Sequence, residues 1–362
     1  DEASQLDVAA STLLVRKRRD DGAIVLAGDD LQLAPIHKAD APAGLEHLVG
    51  SVYGFARHRH GVAPQALQVN YRSNETLVAF TRRAGYDAGL HAFHPDLRLA
   101  LLPRGRADVH VALDLRNDSL EVTGYVGRLP DERPADWPDA LHWTPGWSAL
   151  LDSAQPAACF VYEDEVSSQV NAFEAQAVAS MLWLLYRHAS AQLSGELTPG
   201  GSALAPYTPE SFWTRGVGVV TPHKAQMGLV VQELMRAFPE HDPKLIWSAV
   251  DTVERFQGQE RDVIVASFRL GDPDMIEAAD EFLYSLDRYN EKASRARAKL
   301  IVLTTRTLVD HLSNDADVLN ESRLLKGFAE GFCRDPRPLM LGYLDGSTLV
   351  ERPGTLRTRG AA

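Results

Sequence analysis

Cysteine and long apolar runs are both scarce in this sequence of 362 residues. The two cysteines, Cys159 and Cys333, lie far apart and show no metal-ligand spacing. We therefore expect two buried free thiols in a cytoplasmic protein, because disulfides persist mainly in oxidising compartments. No stretch approaches the roughly 20 apolar residues of a membrane-spanning helix, and the sequence predicts no membrane partner.

Positive charge is also in short supply, with 37 Lys and Arg against 49 Asp and Glu and a net charge of −12. This balance argues mildly against nucleic acid as a partner, because phosphates need local positive charge, but a narrow basic groove remains compatible with it. The basic run at residues 16–19 is followed at once by Asp20 and Asp21. That pattern favours a solvated helix end over a phosphate-binding patch.

Apolar runs alternate with helical patterns along the chain. Short runs typical of buried parallel strands occur at residues 23–27, 158–162, 217–220, 262–268 and 299–303. Helical patterns cover residues 75–86, 173–188 and 224–238. The alternation predicts an α/β fold with a mostly parallel sheet. Open sheets of this class bind ligands in the loops after their strands, so the loops at Gly28 and Thr221 are candidate sites.

Three stretches depart from this pattern. Residues 98–156 contain six prolines and three of the six tryptophans without a helical period, and we interpret them as an irregular insert. Residues 194–209 are rich in Gly, Pro and Ser, as in a surface loop. Beyond about residue 310, a helical piece near 318–332 precedes a basic end that we expect to be disordered.

Five segments carry a more specific signal. They read Asp-Glu-Ala-Ser-Gln at 1–5, Gly-Asp-Asp-Leu-Gln-Leu at 28–33, Asn-Tyr-Arg-Ser at 70–73, Thr-Val-Glu-Arg-Phe-Gln-Gly-Gln-Glu at 252–260 and Ser-Arg-Ala-Arg at 294–297. In this order they resemble successive motifs of superfamily 1 helicases. The forms Gln-Gly-Gln-Glu and Ser-Arg-Ala-Arg are similar to those of the 5′-to-3′ subgroup, which includes RNA-surveillance and replication helicases.

The resemblance implies a domain organisation. In that family two RecA-like domains, each a parallel sheet flanked by helices, hold ATP between them and move along a single strand. Residues 1–66 would then be the C-terminal part of the first domain. Residues 67–310 would be the second domain with an irregular insert at about 98–156, and residues 311–362 a C-terminal tail.

The resemblance also assigns roles around ATP and Mg²⁺. Asp1 would hold the metal, and Glu2 would be the base that orients the attacking water. Gln32, a neutral donor and acceptor, would sense the γ-phosphate. Arg72 would fork onto phosphate oxygens, and Arg295 would be the arginine finger that stabilises charge in the transition state.

Four further residues would complete the nucleotide site. Gly258 would let the backbone turn close to the ligand, and Glu260 would accept hydrogen bonds from the ribose hydroxyls. Arg288 matches another arginine of the last motif. Tyr71 has two readings, since it would either stack on the adenine or belong to the core.

A second set of residues would line the path of a single strand of DNA or RNA. Thr-Pro-His-Lys at 221–224 resembles a family segment with Tyr in place of His223. A stacking ring and a helix N-terminus at Lys224 suit strand binding without sequence preference. Thr252 would donate to a nucleic-acid phosphate. The plainer alternative for Pro222 and Lys224 is a proline-started helix with a solvated lysine.

One family motif has no counterpart in these 362 residues. The phosphate-cradling sequence Gly-x-x-x-x-Gly-Lys-[Ser/Thr] does not occur. We therefore expect the chain alone to hydrolyse ATP negligibly, and we expect a missing N-terminal segment or a partner to supply that loop. The alternative is a stand-alone module, inactive as an ATPase, that binds nucleic acid or regulates a partner.

Overall fold

A seven-stranded, mostly parallel sheet forms the centre of the protein in the computed structural model. The structure describes residues 2–29, 31, 35, 44, 49–102, 129, 131–194, 204–252, 259–285 and 295–360, and the backbone of 111–114 and 119–122. The strands are β1 Val69–Asn70, β2 His91–Ala92, β3 Val111–Asp114, β4 Ser119–Val122, β5 Ala157–Tyr162, β6 Val217–Val220, β7 Val250–Asp251, β8 Arg261–Ser267, β9 Ala296–Thr305, β10 Asp335–Asp345 and β11 Thr348–Arg359.

Two of the described helices precede the first strand, and the others lie between strands in sequence. The helices are α1 Val8–Val15, α2 Val52–His60, α3 Glu75–Arg83, α4 Trp147–Leu150, α5 Ala172–His188, α6 Pro209–Ser211, α7 Lys224–Ala237, α8 Pro243–Ala249, α9 Pro273–Glu277, α10 Asp280–Tyr284, α11 Arg306–Asp310 and α12 Ala316–Lys326. Single π-helical segments follow α6 and α12, at Phe212–Gly216 and Gly327–Phe332.

The central sheet has the strand order β10-β11-β5-β9-β8-β6-β7. Strands β5, β9, β8, β6 and β7 run parallel, and β11 joins β5 antiparallel. Every residue of β5, β6 and β8 is buried, as expected for strands with both faces covered. The predicted α/β fold of the RecA-like type is confirmed.

Side-chain alternation along β5 supplies the two cores of the sheet. Phe160 and Tyr162 pack with α5 on one face, whereas Cys159 and Val161 face the opposite core, to which α12 contributes. Both cysteines are buried free thiols, as predicted. No helix within the described ranges is long and apolar enough to cross a membrane.

Residues 131–151 of the insert form one short helix, α4, and two of their tryptophans, Trp137 and Trp147, belong to the core. Trp147 is buried, and the ring of Trp137 meets the edge of Trp183 on α5 with centroids 5.1 Å apart. The insert as a whole is less irregular than its prolines predicted, because α4 and the paired strands β3 and β4 lie within it. Its large apolar rings pack against the helices of the sheet.

Residues 23–27 were expected to form a strand, and this prediction is wrong. The segment is extended, but no described strand pairs with it, and the side chains of Ile24 and Val25 are exposed. One backbone hydrogen bond holds its end, from the N–H of Ala3 to the carbonyl of Ala27 at 2.8 Å. An apolar run becomes a buried strand only where neighbouring strands complete its hydrogen bonds.

The expected disorder at the end of the chain is also wrong. β10 and β11 form a hairpin around Gly346, whose φ of +63° suits a tight turn, and β11 pairs with β5 from Arg359 to Gly354. Leu341 and Leu356 are buried on this hairpin. The free edge of β5 gives the basic segment a hydrogen-bonding partner, which composition alone does not reveal. The domain boundaries themselves stay a prediction.

Candidate functional site

The sequence-predicted residues fall at two opposite edges of the central sheet. Because β5 to β9 run parallel, their amino ends share one edge and their carboxyl ends the other. Glu260 and Arg295 directly precede β8 and β9, whereas Thr221 and Thr252 directly follow β6 and β7. β8 has seven residues and, at about 3.3 Å per residue, separates the two edges by roughly 20 Å.

The loop that carries Arg72 is attached to the amino edge. Asn70 Oδ1 accepts the backbone N–H groups of Arg72 at 2.9 Å and of Ser73 at 2.8 Å. The Ser73 hydroxyl donates to the carbonyl of Ala296, the first residue of β9, at 2.7 Å. These bonds hold the Asn-Tyr-Arg-Ser segment beside the start of β9.

Four charged side chains meet at this edge. Arg72 Nε donates to Glu260 Oε2 at 3.1 Å across 188 residues of sequence. Arg297 Nε lies 3.9 Å from Glu260 Oε1, and Arg297 Nη1 donates to Asp262 Oδ1 at 2.6 Å. Burial raises the pKa of Asp262, while hydrogen bonds from Tyr207 and Arg297 act in the opposite direction. The cluster places two guanidinium groups around one exposed carboxylate.

An open cavity of about 480 Å³ lies against this cluster, lined by Asn70, Tyr71, Arg72 and Glu260. Tyr71 is 67% exposed, and its ring packs against Phe93 with centroids 4.7 Å apart. The core reading of Tyr71 is therefore wrong. Its ring is placed where a flat ligand could stack on it, and adenine stacking stays a prediction.

Arg295 occupies a different environment from Arg72. It is only 4% exposed and does not line the described cavity, while its carbonyl accepts the N–H of Arg261 at 3.0 Å. An arginine finger must reach the reacting phosphate, so the role predicted for Arg295 requires a rearrangement of its side chain.

The first two motifs lie next to each other in space. The N–H of Asp29 donates to Ser4 Oγ at 3.2 Å, and a Cβ on Gly28 would come within 2.7 Å of the Ser4 nitrogen. Glycine at 28 thus permits this close approach. Asp29 Oδ2 also accepts the hydroxyl of Tyr86 at 2.6 Å, which links the segment to the turn after α3.

Glu2 is the one member of the acidic pair that the structure describes. It is exposed, its φ is +55°, and its carboxylate accepts Gln5 Nε2 at 2.7 Å. Four other predicted site residues lie outside the described residues, namely Asp1, Gln32, Gly258 and Arg288.

The carboxyl edge holds the predicted strand-binding residues. Thr221 donates its N–H to the carbonyl of Asp251 at 3.2 Å, which brings it beside Thr252. Thr221 and Pro222 are buried, and Thr252 is 9% exposed. Lys224 is exposed and begins α7, so Pro222 and Lys224 occupy the helix start that their sequence predicted.

A second cavity, of about 470 Å³, opens at this edge. The residues described as lining it are Gln169, His223, Lys224, Ala225, Arg269, Leu270, Met275 and Ala279, and they include no carboxylate. The ring of His223 stacks on Phe282 at 5.4 Å with an angle of 12°. The sequence reasoning missed Arg269. Its position directly after the buried run at 262–268 was the available signal, since ligands collect at such strand ends.

A network of buried polar side chains lies next to this edge of the sheet. Gln226 accepts the N–H of Asn171 at 2.8 Å and donates to the carbonyl of the same residue at 3.1 Å. Glu174 accepts hydrogen bonds from Tyr162 and Ser267, and burial raises the pKa of its carboxyl group to about 7. Asn171 and Glu174 thus hold the backbone at this edge in place.

The described residues contain no group of three or more His, Cys, Asp or Glu side chains arranged to hold a metal ion. Mg²⁺ seldom uses an all-protein cage and is typically held by one or two carboxylates together with substrate phosphates. One exposed carboxylate at Glu2, next in sequence to Asp1, is compatible with that mode of binding.

The sequence of this chain is similar to those of several known proteins. The family model AAA_12, described as an AAA domain, matches residues 54–307, which is well over half of the chain. The Schizosaccharomyces pombe protein named DNA replication ATP-dependent helicase/nuclease dna2 is 23% identical over 325 residues, covering 86% of this chain and 19% of that protein.

Two human proteins are also similar. RNA helicase Mov10l1 is 26% identical over 302 residues, covering 78% of this chain and 20% of its own length. The probable helicase senataxin is 35% identical over 99 residues, covering 27% of this chain and 3% of its own length. The chain thus spans a fifth or less of these relatives.

Proposed function

Because the chain belongs to the AAA_12 family of AAA domains and to the 5′-to-3′ subgroup of superfamily 1 helicases, we propose an ATP-driven function. The protein would move in the 5′-to-3′ direction along single-stranded DNA or RNA. The membership supports a helicase-like role on nucleic acid. The observation that carries the finer proposal is the contact of Arg72 with Glu260 beside an open cavity, since it unites two distant motifs at one ligand-sized site.

At the amino edge, Arg72 and Arg297 would stabilise phosphate charge. A guanidinium group binds carboxylate and phosphate oxygens with the same forked geometry. Glu260 therefore occupies, in the structure described, the position on Arg72 that a phosphate would take. When ATP is bound, we propose that Arg72 transfers to the phosphate and that Glu260 turns to the ribose hydroxyls. Arg295 would add charge stabilisation after its side chain leaves its buried position.

The acidic pair and Gln32 would complete the reaction site. Asp1 would hold Mg²⁺, and the bound metal would neutralise part of the phosphate charge. Glu2 would orient the attacking water as a base, and its exposed carboxylate, which accepts a hydrogen bond from Gln5, is suited to that task. Gln32 would report the γ-phosphate, and Gly258 and Arg288 would border the nucleotide.

At the carboxyl edge, the strand would contact Thr221, Pro222, His223, Lys224 and Thr252. Lys224 and the N-terminus of α7 favour phosphate, and the His223 ring offers a stacking surface. None of these contacts reads a base edge, so the proposed binding is independent of sequence.

Turnover by this chain alone is a separate matter. Because its sequence contains no Gly-x-x-x-x-Gly-Lys-[Ser/Thr] segment, it offers the β- and γ-phosphates no amide cradle of that type. We propose that the chain by itself hydrolyses ATP at background rate. Strand-stimulated hydrolysis that disappears in Arg295→Ala would contradict this. The second candidate function, a nucleic-acid-binding module without ATPase activity, shares the strand contacts and lacks the ATP step.

Binding of a fluorescent 20-nucleotide single strand, deoxy and ribo in parallel, tests the proposed function. We expect anisotropy to show binding that weakens as salt rises, because phosphate contacts release counterions. A blunt duplex of the same length serves as the comparison and should bind more weakly. If the chain does not bind either strand at 50 mM salt, the strand-binding function is wrong.

A further inference from the structure

Arg269 stands out among the cations of the described residues. It directly follows β8 and Phe268 and is only 4% exposed. Its Nε and Nη1 atoms are buried and have no hydrogen-bond partner among the residues that the structure describes. Leaving buried donors unsatisfied costs about 1–3 kcal/mol each, and more when the group is charged. Such a group is found where a bound ligand accepts the hydrogen bonds of its donors, or where the surrounding fold holds the side chain in a buried position.

The backbone of Arg269 is held in an unfavourable conformation by the buried network. Its φ is +59°, a region that non-glycine residues seldom adopt. Its N–H donates to Glu174 Oε2 at 3.0 Å, and its carbonyl accepts Asn171 Nδ2 at 3.0 Å. Two buried side chains thus fix the peptide on both sides and aim this residue. Strain of this kind concentrates at ligand-binding positions.

The charge of Glu174 raises the pKa of Arg269, but no hydrogen bond between the two side chains is present in the described part of the chain. The Glu174 oxygens are occupied by the hydroxyls of Tyr162 and Ser267 and by the backbone N–H of Arg269. Burial lowers the pKa of Arg269 to about 10, so the side chain remains a cation at neutral pH. The result is a buried positive charge whose donors are free to bind an anion.

The lining of the cavity beside Arg269 is complementary to a nucleotide unit, which combines an anionic phosphate with an apolar ring. Gln169, His223 and Lys224 supply donors, whereas Leu270 and Met275 provide an apolar wall. No carboxylate is among the described lining residues, so the site favours an anion with an attached apolar group. The cavity lies at the carboxyl edge of the sheet, the same edge as Thr221 and Thr252 of the proposed function.

We propose that Arg269 binds a backbone phosphate of the single strand, inside the cavity shared with Lys224 and His223. This inference rests on the proposed function and adds a strand contact that the motif residues did not include. The guanidinium group supplies the phosphate with a charged donor from within the fold, and Lys224 supplies another from solvent. The buried network of Asn171, Glu174 and Gln226 positions it.

Two variants distinguish the effect of losing the guanidinium group from the effect of relieving the backbone strain at residue 269. Arg269→Gln removes the charge and keeps a polar side chain of similar reach. Arg269→Gly removes the side chain and adopts positive φ at no steric cost, so it should fold. Arg337→Gln, on the exposed part of β10, removes the same charge away from the cavity and is the matched control.

Strand binding by anisotropy between 50 and 300 mM salt is the measurement. We expect both Arg269 variants to weaken binding roughly five- to tenfold and to reduce the slope of log K against log salt by about 0.7, the value for one phosphate of a single strand. Arg337→Gln should match the wild type within about twofold. If the wild type binds and both Arg269 variants bind with unchanged affinity and slope, this inference is wrong and the proposed function stands.

Two other outcomes are also decisive. Failure of the wild type to bind any strand overturns the proposed function, and this inference falls with it. If circular dichroism shows that both Arg269 variants are unfolded, hydrogen exchange of the wild type replaces them. Protection of the amides of residues 268–272 on strand addition then supports the phosphate contact, and unchanged exchange there contradicts it.

Discussion

Individual buried charges in this protein are stabilised in different ways. Asp262 is paired with Arg297 and Tyr207 at the amino edge. Lys299 in β9 is equally inaccessible, but its Nζ atom donates to the backbone carbonyls of Asp152 and Gln155. Because two neutral carbonyls replace little of the hydration of an ammonium group, burial lowers the pKa of Lys299 to about 7.

This lowered pKa predicts a pH dependence of stability. Between pH 7 and the ordinary lysine value of 10.5, the unfolded chain keeps a proton that folded Lys299 has released. The unfolded state therefore binds more protons, and the free energy of unfolding rises with pH over this range. We expect Lys299→Met to remove a gain of about 2 kcal/mol between pH 7 and pH 9, measured by urea unfolding.

The matched control for that experiment is Lys244→Met, which removes an exposed lysine at the start of α8. It should leave the pH dependence of the wild type unchanged. If the free energy of unfolding of Lys299→Met rises with pH as steeply as that of the wild type between pH 7 and pH 9, the buried ammonium group does not cause the pH dependence.

At the scale of elements, the last hairpin is an integral part of the sheet. β11 lies between β10 and β5, and Gly354 faces Tyr162 in the register. A Cβ at Gly354 would come within 2.6 Å of the Phe160 ring and 2.7 Å of the Val161 carbonyl. Only glycine allows β11 to lie so close to β5 at this point.

Gly354→Ala should therefore destabilise the protein by about 1–3 kcal/mol, because the added methyl group overpacks a core contact. Gly228→Ala is the matched control on α7, where a Cβ meets nothing within 4 Å. That change should stabilise the helix by about 0.5–1 kcal/mol. Urea unfolding of both variants checks the pair, and equal effects of the same sign would refute the close packing of β11.

For the whole molecule, the main feature is the separation of the two sites by the length of the sheet. Arg72 and Glu260 lie at the amino edge, and Lys224 and Thr252 lie at the carboxyl edge. β8 connects the two edges, with Asp262 near one end and Ser267, bonded to Glu174, at the other.

The separation predicts independent effects of charge removal at the two edges. Lys224→Ala should weaken single-strand binding roughly threefold to tenfold and lower the salt slope by about 0.7. Arg72→Ala removes the same charge but should leave strand affinity within about twofold, and the double variant should equal Lys224→Ala alone. Anisotropy titrations of the three variants decide this, and an equal loss in Arg72→Ala would mean that binding responds only to net charge.

The sequence was most informative where a signal is local. Buried runs and helical periods depend on neighbouring residues, so β5, β6, β8 and α5 were predicted nearly to their ends. Motif order likewise identified the family and the loops that carry its candidate residues. The run at 23–27 had the same apolar pattern as the real strands and failed for lack of described partners.

The sequence by itself determined the fold class, the buried thiols and the candidate residues, because each follows from composition, period or motif. Tertiary structure alone decided that Arg72 meets Glu260 across 188 residues and that the basic end of the chain becomes β11. It also decided that Arg269 is buried, with no partner for its Nε and Nη1 atoms among the described side chains and backbone groups. The reason is physical: pairing between distant segments depends on which edges and faces remain to be covered once the sheet has formed, and no local pattern records that.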